Sequence, residues 1–249
     1  MTTLRRADER EHDGRRKHEI WLTFPMGLTG RPGAGFGTLE TLNETRLAPG
    51  AGVARHRHHD DEIITYAHQG ALAYEDSMGC SGVIQAGEFQ RMTTGHGIRH
   101  NETNASRIDR AHVFQIGLRS WQVGLDPGYE QKRFSAAQRR DGLCIVASPD
   151  GRRGSLRVQQ DALLYSAILD PGQHLVHELS PGRRAWLHLV QGEIVLGEAV
   201  LTAGDGAGFT AERAVSLTAR EEAEILLLDL GVEHPGPLKS LGGVIAGRS

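Results

Sequence analysis

The chain has 249 residues, of which 39% are hydrophobic and 24% are charged, and its formal net charge at pH 7 is −3. Domains that bind nucleic acid are usually strongly basic, so this balance argues against a nucleic-acid partner. No run approaches the roughly 20 apolar residues that a membrane-spanning helix needs, and the N-terminus lacks the apolar core of a secretory signal. The two cysteines, Cys80 and Cys144, form no disulfide framework. We therefore expect a reduced, cytoplasmic protein.

Short apolar stretches recur along the first half of the chain, and turn residues separate them. Four of these stretches read FGTLETLNETRLAPGAGV, IITYAHQGALAYEDSMG, GVIQAGEFQRMTTGHG and HVFQIGLRSW. Runs of about 5–8 residues with β-branched and aromatic content, bounded by glycine, are typical of an antiparallel sandwich or barrel. The sequence therefore predicts an all-β fold for this half.

The best helical window is residues 134–142, where Ser135 is a candidate N-cap and Gly142 a candidate stop. After it the strand pattern resumes, and the Pro-Gly, Gln-Gly and Ala-Gly turns of the first half return in the same order. This weak repeat of about 120 residues predicts two similar β-barrels joined by a short helix. We expect a first barrel over residues 1–130, a linker over 131–142, a second barrel over 143–230 and a tail over 231–249.

The stretch ARHRHHDDE, residues 54–62, is a candidate half of a metal site. Side chains alternate faces on a strand, so His56 and His58 point one way and His59 points the other. Glu62 has the parity of His58 if no bulge intervenes. The alternative interpretation of this stretch is a solvated polar loop.

A second pair with the same spacing, His100 and Glu102, lies in GHGIRHNETN. If its strand is a neighbour of the first, about 4.8 Å away, both pairs can surround one ion. Three imidazoles and one carboxylate suit a first-row divalent metal with open positions, such as iron, manganese, nickel or copper. A closed tetrahedral zinc site is also compatible with these ligands. Calcium and magnesium are not expected, because they favour oxygen ligands.

Two segments resemble the motifs of the cupin superfamily: G-x5-H-x-H-x3-E from Gly50 to Glu62, and G-x2-H-x3-N from Gly97 to Asn104. More narrowly, the chain resembles the pirin family of bicupins. This resemblance covers most of residues 5–230. It rests on the segments RADER, HRHHDDEIITY, DSMGCSGVIQAGEFQRMTTGHGIRHNE, DPGYEQKRF, GRRAWLHLVQGEI and AGDGAGF.

The resemblance implies a bicupin, two stacked antiparallel β-barrels of the jelly-roll type, with metal only in the first barrel. The family's ligands fall on four positions of this chain: His56, His58, His100 and Glu102. Iron(II) is the metal expected first, with manganese, nickel, copper and zinc as alternatives. Glu62 stands at a position that is typically not a ligand in the family; it is the runner-up for a fifth ligand position and, with Glu102, a candidate catalytic base. In the second half, His174 and His177 would face opposite sides of a strand, so a shared ion is not expected.

The resemblance also implies an enzyme: a metal-dependent dioxygenase of the quercetin 2,3-dioxygenase type. Its partners would be dioxygen and a small aromatic substrate, a flavonol or a related enol or catechol compound. One alternative is a non-enzymatic regulatory or redox-sensing protein whose metal controls the binding of a partner protein. A second alternative is an ion with a purely structural role, whose removal lowers stability.

Overall fold

The structure is a computed structural model that describes residues 2–15, 17–25 and 35–232. Residues 233–249 of the predicted tail, 231–249, lie outside the described residues. Within those described, the elements in chain order are β1 (Thr2–Arg5), β2 (Glu11–Arg15), β3 (His18–Leu22), β4 (Leu39–Leu47), β5 (Gly52–His58), β6 (Asp61–Gln69), β7 (Ala71–Asp76), β8 (Ser81–Gln85), β9 (Glu88–Thr93), β10 (Ile98–Asn104), β11 (Ala111–Arg119), β12 (Gly128–Arg133), α1 (Ala136–Arg140), β13 (Cys144–Ser148), β14 (Leu156–Arg157), β15 (Ala162–Leu169), β16 (His174–Glu178), β17 (Arg184–Gln191), β18 (Glu193–Leu196), β19 (Ala199–Thr202), β20 (Gly206–Phe209), β21 (Ala214–Ala219) and β22 (Ala223–Leu230). Short 3₁₀ turns lie at Ala7–Glu9 and Arg152–Gly154.

The first barrel is a pair of antiparallel sheets. Seven strands run in the order β12-β9-β6-β11-β4-β3-β2, and four run in the order β5-β10-β7-β8. Apolar side chains from both sheets meet inside, including Leu47 and Val113 from the larger sheet and Leu72 and Ile84 from the smaller. Burial of these alternate side chains from water holds the two sheets together.

The second barrel repeats this plan. Its sheets have the orders β1-β20-β17-β22-β15-β13-β14 and β16-β21-β18-β19, with one parallel pair, β13 and β14. Its interior is filled mainly by leucine, isoleucine, valine and alanine side chains, such as Leu187, Leu217 and Leu227. The predicted all-β fold of two similar halves is confirmed.

The two large sheets pack against each other and form the largest apolar cluster among the described residues. Tyr66 and Phe114 from the first barrel meet Trp186 and Leu228 from the second in this layer. Alternation along each strand explains the arrangement, because one face of each large sheet fills its own barrel and the other face fills the interface. The two barrels therefore share a core and form one packed unit.

A buried polar cluster interrupts this interface at β4. Glu44 accepts hydrogen bonds from Arg10 Nη1 at 2.9 Å and from His112 Nε2 at 2.8 Å. Burial opposes the ionisation of Glu44, but the hydrogen bonds and charges of these partners outweigh it and lower its pKa to about 2. Burial also lowers the pKa of His112, so a neutral imidazole donates this hydrogen bond at pH 7.

The linker contains the predicted helix, α1. The side chain of Ser135 accepts from the backbone N–H of Gln138, which confirms the predicted N-cap. Arg139 of this helix reaches the interface, where its Nη1 donates to Tyr66 Oη at 2.8 Å and to Glu224 Oε1 at 2.7 Å. The first residues of the predicted linker, 131–133, belong to β12 of the first barrel.

The first strand of the chain lies in the second barrel, although residues 1–130 were predicted to form the first. β1 pairs antiparallel with β20, with Thr2 opposite Phe209 and Arg5 opposite Gly206. Next along the chain, Arg6 Nη1 donates to Asp205 Oδ2 at 2.9 Å. A four-residue strand is too short to show an alternating pattern, so the sequence gives no sign of this crossing.

Candidate metal centre

A bulge in β5 orients the histidines of the first predicted pair. β5 and β10 are hydrogen-bonded neighbours, with His56 opposite His100 and Val53 opposite Glu102. Between these two pairs β5 advances three residues where β10 advances two, so β5 carries one extra residue. The extra residue resets the alternation of side chains. As a result Val53, His56 and His58 all line the same cavity.

The three imidazoles of His56, His58 and His100 converge. Each offers one nitrogen, and these nitrogens all lie within 4.8 Å of one another. The Nε2 atoms of His56 and His100 are 3.1 Å apart. Two ligands at about 2.1 Å from one ion and at a right angle are separated by about 3.0 Å, so this pair fits a first-row metal.

Local contacts prepare these nitrogens to bind a metal. His56 Nδ1 lies 3.0 Å from the carbonyl oxygen of Ala54, and a proton on Nδ1 donates to that oxygen. The lone pair of His56 is then on Nε2, the nitrogen that faces His100. Burial, followed by the neighbouring His56 and His58, lowers the pKa of His100 to about 3. Burial also lowers the pKa of His56. Both rings are therefore neutral at pH 7, the form in which imidazole binds metals.

Glu102 lies beside the imidazoles, and its carboxylate accepts hydrogen bonds from another side chain. Its Oε1 is 3.9 Å from His100 Nδ1. Gln115 Nε2 donates to both carboxylate oxygens, at 2.8 and 3.0 Å. Burial raises the pKa of Glu102 to about 7 although these hydrogen bonds oppose the shift. Gln115 was not predicted from the sequence. The pattern that could have revealed it is a single polar residue within the apolar strand HVFQIGL, at a position whose side chain faces the barrel interior.

The structure does not bring Glu62 to the imidazoles. A turn at Asp60, with φ of 54°, ends β5 before Glu62, which lies in β6. Its neighbours Asp61 and Ile63 line the cavity, and Glu62 faces the second barrel, where it accepts from the backbone N–H of Gln159 at 3.3 Å. Burial raises the pKa of Glu62. Glu62 therefore does not share a face with His58, because the two residues lie on different strands.

His56 and His58 form one wall of a cavity of about 430 Å³ inside the first barrel, and His100 lies behind them. This volume lies in the range of small-molecule sites, about 300–1,000 Å³. Side chains of β3, β4 and β11 form the facing wall. This wall includes His18, Ile20, Asn43, Thr45 and Gln115. An aromatic molecule in this cavity can therefore approach the imidazoles from the side opposite β5.

Two family-level profiles match the chain. One, described as Pirin, covers residues 28–118, and the other, described as Quercetinase C-terminal cupin domain, covers residues 145–230. A relative from Escherichia coli (strain K12), named quercetin 2,3-dioxygenase, is 38% identical over 231 residues, which is 92% of this chain and 99% of that protein. The chain belongs to the pirin family.

Solved pirin structures have the same fold. YhhW from Escherichia coli matches with a TM-score of 0.87 and 38% identity, over 94% of this chain and 99% of that chain. Bacterial pirin YhhW in complex with nickel(II) matches with a TM-score of 0.86 and 36% identity, over 94% of this chain and 100% of that chain. The predicted bicupin fold and pirin membership are confirmed.

In the second barrel of this pirin, the two predicted histidines have separate partners. His174 Nδ1 lies 2.9 Å from Thr218 Oγ1, whereas His177 Nε2 lies 2.9 Å from Asp229 Oδ2. They thus belong to two different hydrogen-bonded groups.

The described part of the chain contains no helix long and apolar enough to cross a membrane.

Proposed function

We propose that this pirin is a metal-dependent oxygenase of the quercetin 2,3-dioxygenase type. Its substrates would be dioxygen and a flavonol or a related enol or catechol compound. The observation that carries the proposal is the convergence of three imidazoles, two of which line a cavity large enough for a small aromatic molecule. The names of its relatives and the nickel(II) complex of a pirin 36% identical to it support the same chemistry.

His56, His58 and His100 would hold one divalent ion, with Glu102 as the fourth ligand. Iron(II) is our first choice, and manganese, nickel, copper and zinc remain alternatives, because neutral imidazoles accept all of these metals. A bound ion of this kind supplies a Lewis acid that lowers the pKa of a hydroxyl group in contact with it.

The protein's own groups would orient the substrate and accept its proton. Ile20, Val53 and Ile63 supply apolar contacts to aromatic rings and displace water from the cavity. The Glu102 carboxylate lies 3.9 Å from the His100 ring, and we assign it the proton released by the substrate hydroxyl. Gln115 holds both carboxylate oxygens and thereby fixes the direction in which Glu102 accepts that proton.

The test combines metal loading, substrate binding and oxygen uptake. Purified protein is loaded with each candidate metal and mixed with quercetin, first without oxygen, where absorbance reports binding, and then in an oxygen electrode. We expect binding and uptake with at least one metal, and loss of both in His100→Ala. The matched control is His177→Ala in the second barrel, which should behave as the wild type.

Metal-loaded protein that neither binds quercetin nor consumes oxygen with any flavonol or catechol would contradict the proposal. If such protein instead captured a partner protein in only one oxidation state of the metal, the regulatory alternative would replace it. A fall in thermal stability on chelation, without any ligand binding, would favour a structural ion.

A further inference from the structure

Two residues that line the cavity each have a buried polar atom without a hydrogen-bond partner among the described residues. The two atoms are Nε2 of His18 and Oδ1 of Asn43, and both are shielded from solvent. A buried polar atom without a partner costs free energy, so proteins rarely keep one unless it has a use. Here both residues line the cavity that His56 and His58 also line, so a turn of either side chain brings its unpaired atom to a molecule bound there.

The topology places both residues across the cavity from the imidazoles. His18 is on β3 opposite Leu47, and Asn43 is on β4 opposite Leu22, so the two lie at different points along the same pair of strands. Both strands belong to the seven-stranded sheet, whereas the histidines of β5 and β10 belong to the four-stranded sheet. A molecule bound between the two sheets can thus contact the imidazoles with one of its ends and the side chains of His18 and Asn43 with its other parts.

Asn43 also has a defined relation to the carboxylate. It is the direct neighbour of Gln115 in the pairing of β4 with β11, and Gln115 holds Glu102. Apolar side chains, among them Ile20 and Val53, line the same cavity. The cavity therefore combines apolar contacts for rings with separate points where a hydroxyl or carbonyl oxygen finds a partner.

We infer that His18 and Asn43 form a polar subsite for oxygen substituents of the substrate other than those that face the metal. This inference rests on the proposed function and narrows its substrate class to aromatic compounds hydroxylated on more than one ring. A hydroxyl group can donate to Asn43 Oδ1 and can donate to or accept from His18 Nε2. A flavonol without these hydroxyls leaves both atoms unpaired, which is how a site discriminates strongly against such an analogue.

The experiment compares two ligands that share the metal-facing oxygens. Quercetin carries further ring hydroxyls, whereas 3-hydroxyflavone lacks them. Dissociation constants are measured without oxygen, by fluorescence quenching, on nickel(II)-loaded protein. We expect quercetin to bind at least about tenfold more tightly than 3-hydroxyflavone, about 1.4 kcal/mol. Asn43→Leu and His18→Phe should each reduce that ratio about fivefold or more and leave 3-hydroxyflavone unchanged.

Two further measurements separate recognition from structure. Thr45→Val removes a hydroxyl from the same cavity, from a residue without an unpaired buried atom, and should keep the wild-type ratio. The ligand-free Tm of Asn43→Leu should equal or exceed that of the wild type, because the variant removes an unpaired polar atom. A variant that lowers the Tm and the affinity for both ligands equally would assign Asn43 a structural role and overturn the inference.

The outcomes distinguish this inference from the proposed function. If both ligands bind and the variants leave their ratio unchanged, the subsite is overturned while the proposed function stands. If the metal-loaded wild type binds neither ligand, the proposed function fails and the subsite fails with it. His18→Leu provides a second variant if the phenylalanine substitution does not yield folded protein.

Discussion

The two barrels share a strand order, but their interiors differ. In the first barrel the pairing of β5 with β10 places Val53 opposite Glu102. In the second barrel, the corresponding pairing of β16 with β21 places Leu175 opposite Leu217, and both side chains are buried in an apolar core. The same scaffold therefore encloses either a polar cavity or a close-packed leucine core, depending on a few inward-facing positions.

The bulge makes a second difference between the barrels. β16 pairs with β21 without a register shift, so His177 lies opposite Val215 and no second histidine follows it inward. His177 instead contacts Asp229, which also accepts from Arg183 Nε at 2.5 Å. These polar groups satisfy one another, in contrast to the unpaired atoms of the first barrel's cavity. The first barrel thus differs in having unpaired polar atoms on residues that line a cavity.

The largest expected effect is on metal affinity. His100→Ala removes a proposed ligand from the first barrel, and we expect metal affinity to fall by more than the roughly 100-fold typical of an outer-shell partner. His177→Ala removes a histidine from the second barrel and should leave affinity within a factor of about two. Titration against a chelating dye measures both. Equal losses in the two variants would contradict the functional division between the barrels.

The packed interior of the second barrel predicts a large loss of stability on truncation. Leu217 is 1% exposed, so Leu217→Ala should lower the free energy of unfolding by about 3–4 kcal/mol through lost burial and a new cavity. Thr45→Ala, on the cavity wall of the first barrel, should cost about 1 kcal/mol. Urea unfolding of the metal-free protein checks both values. A larger cost for Thr45→Ala would show that the first barrel is the more tightly packed.

Glu44, at the interface between the barrels, predicts how the free energy of unfolding depends on pH. The pKa of Glu44 is lowered from 4.5 to about 2 in the folded protein, so its stabilisation is complete above about pH 4.5 and is lost as the pH falls toward 2. At about 1.4 kcal/mol for each unit, this contribution reaches up to about 3 kcal/mol.

Chemical unfolding at several pH values measures this contribution. Glu44→Gln should be less stable at pH 7 and should lose the corresponding part of the slope between pH 4.5 and 2. The conservative control is Glu198→Gln, because Glu198 is an exposed carboxylate in the turn between β18 and β19. An unchanged slope in Glu44→Gln would remove Glu44 from the acid response.

The smallest effect is expected for Glu62, which the sequence offered beside Glu102 as a candidate base. Glu62 faces the interface, so Glu62→Gln should leave oxygen uptake within a factor of about two. Glu102→Gln should abolish uptake, because Glu102 lies beside the imidazoles. Oxygen-electrode rates on samples of equal metal content make the comparison. Loss of uptake in Glu62→Gln would restore Glu62 as a candidate base.

Local patterns in the sequence were sufficient to predict both barrels, the linking helix and the two pairs of site residues. Alternation and turn residues act over a few positions, so they can be read without tertiary information. The inward direction of His56 and His58 depends on the bulge in β5, which exists only through pairing with β10. The parity of Glu62 was misjudged for the same reason, since the turn at Asp60 starts a new strand.

The remaining residues of the cavity could not be found from local patterns. His18, Asn43 and Gln115 are single polar residues in three different strands, and each is unremarkable in its own segment. They become related only when β3, β4 and β11 lie side by side in the large sheet. The sequence thus predicts residue pairs that are close in the chain better than groups that only the fold brings together.

The pairing of β1 with β20 has a consequence for the order in which the molecule is made. Thr2 leaves the ribosome long before its partner Phe209 is synthesised, so the edge of the second barrel's large sheet stays open until translation is nearly complete. That closure joins residues more than 200 positions apart and belongs to the slow, non-local class of contacts. An N-terminal fusion or truncation should therefore act on assembly of the distant barrel, and an unpaired β20 edge would be the site where nascent chains pair wrongly.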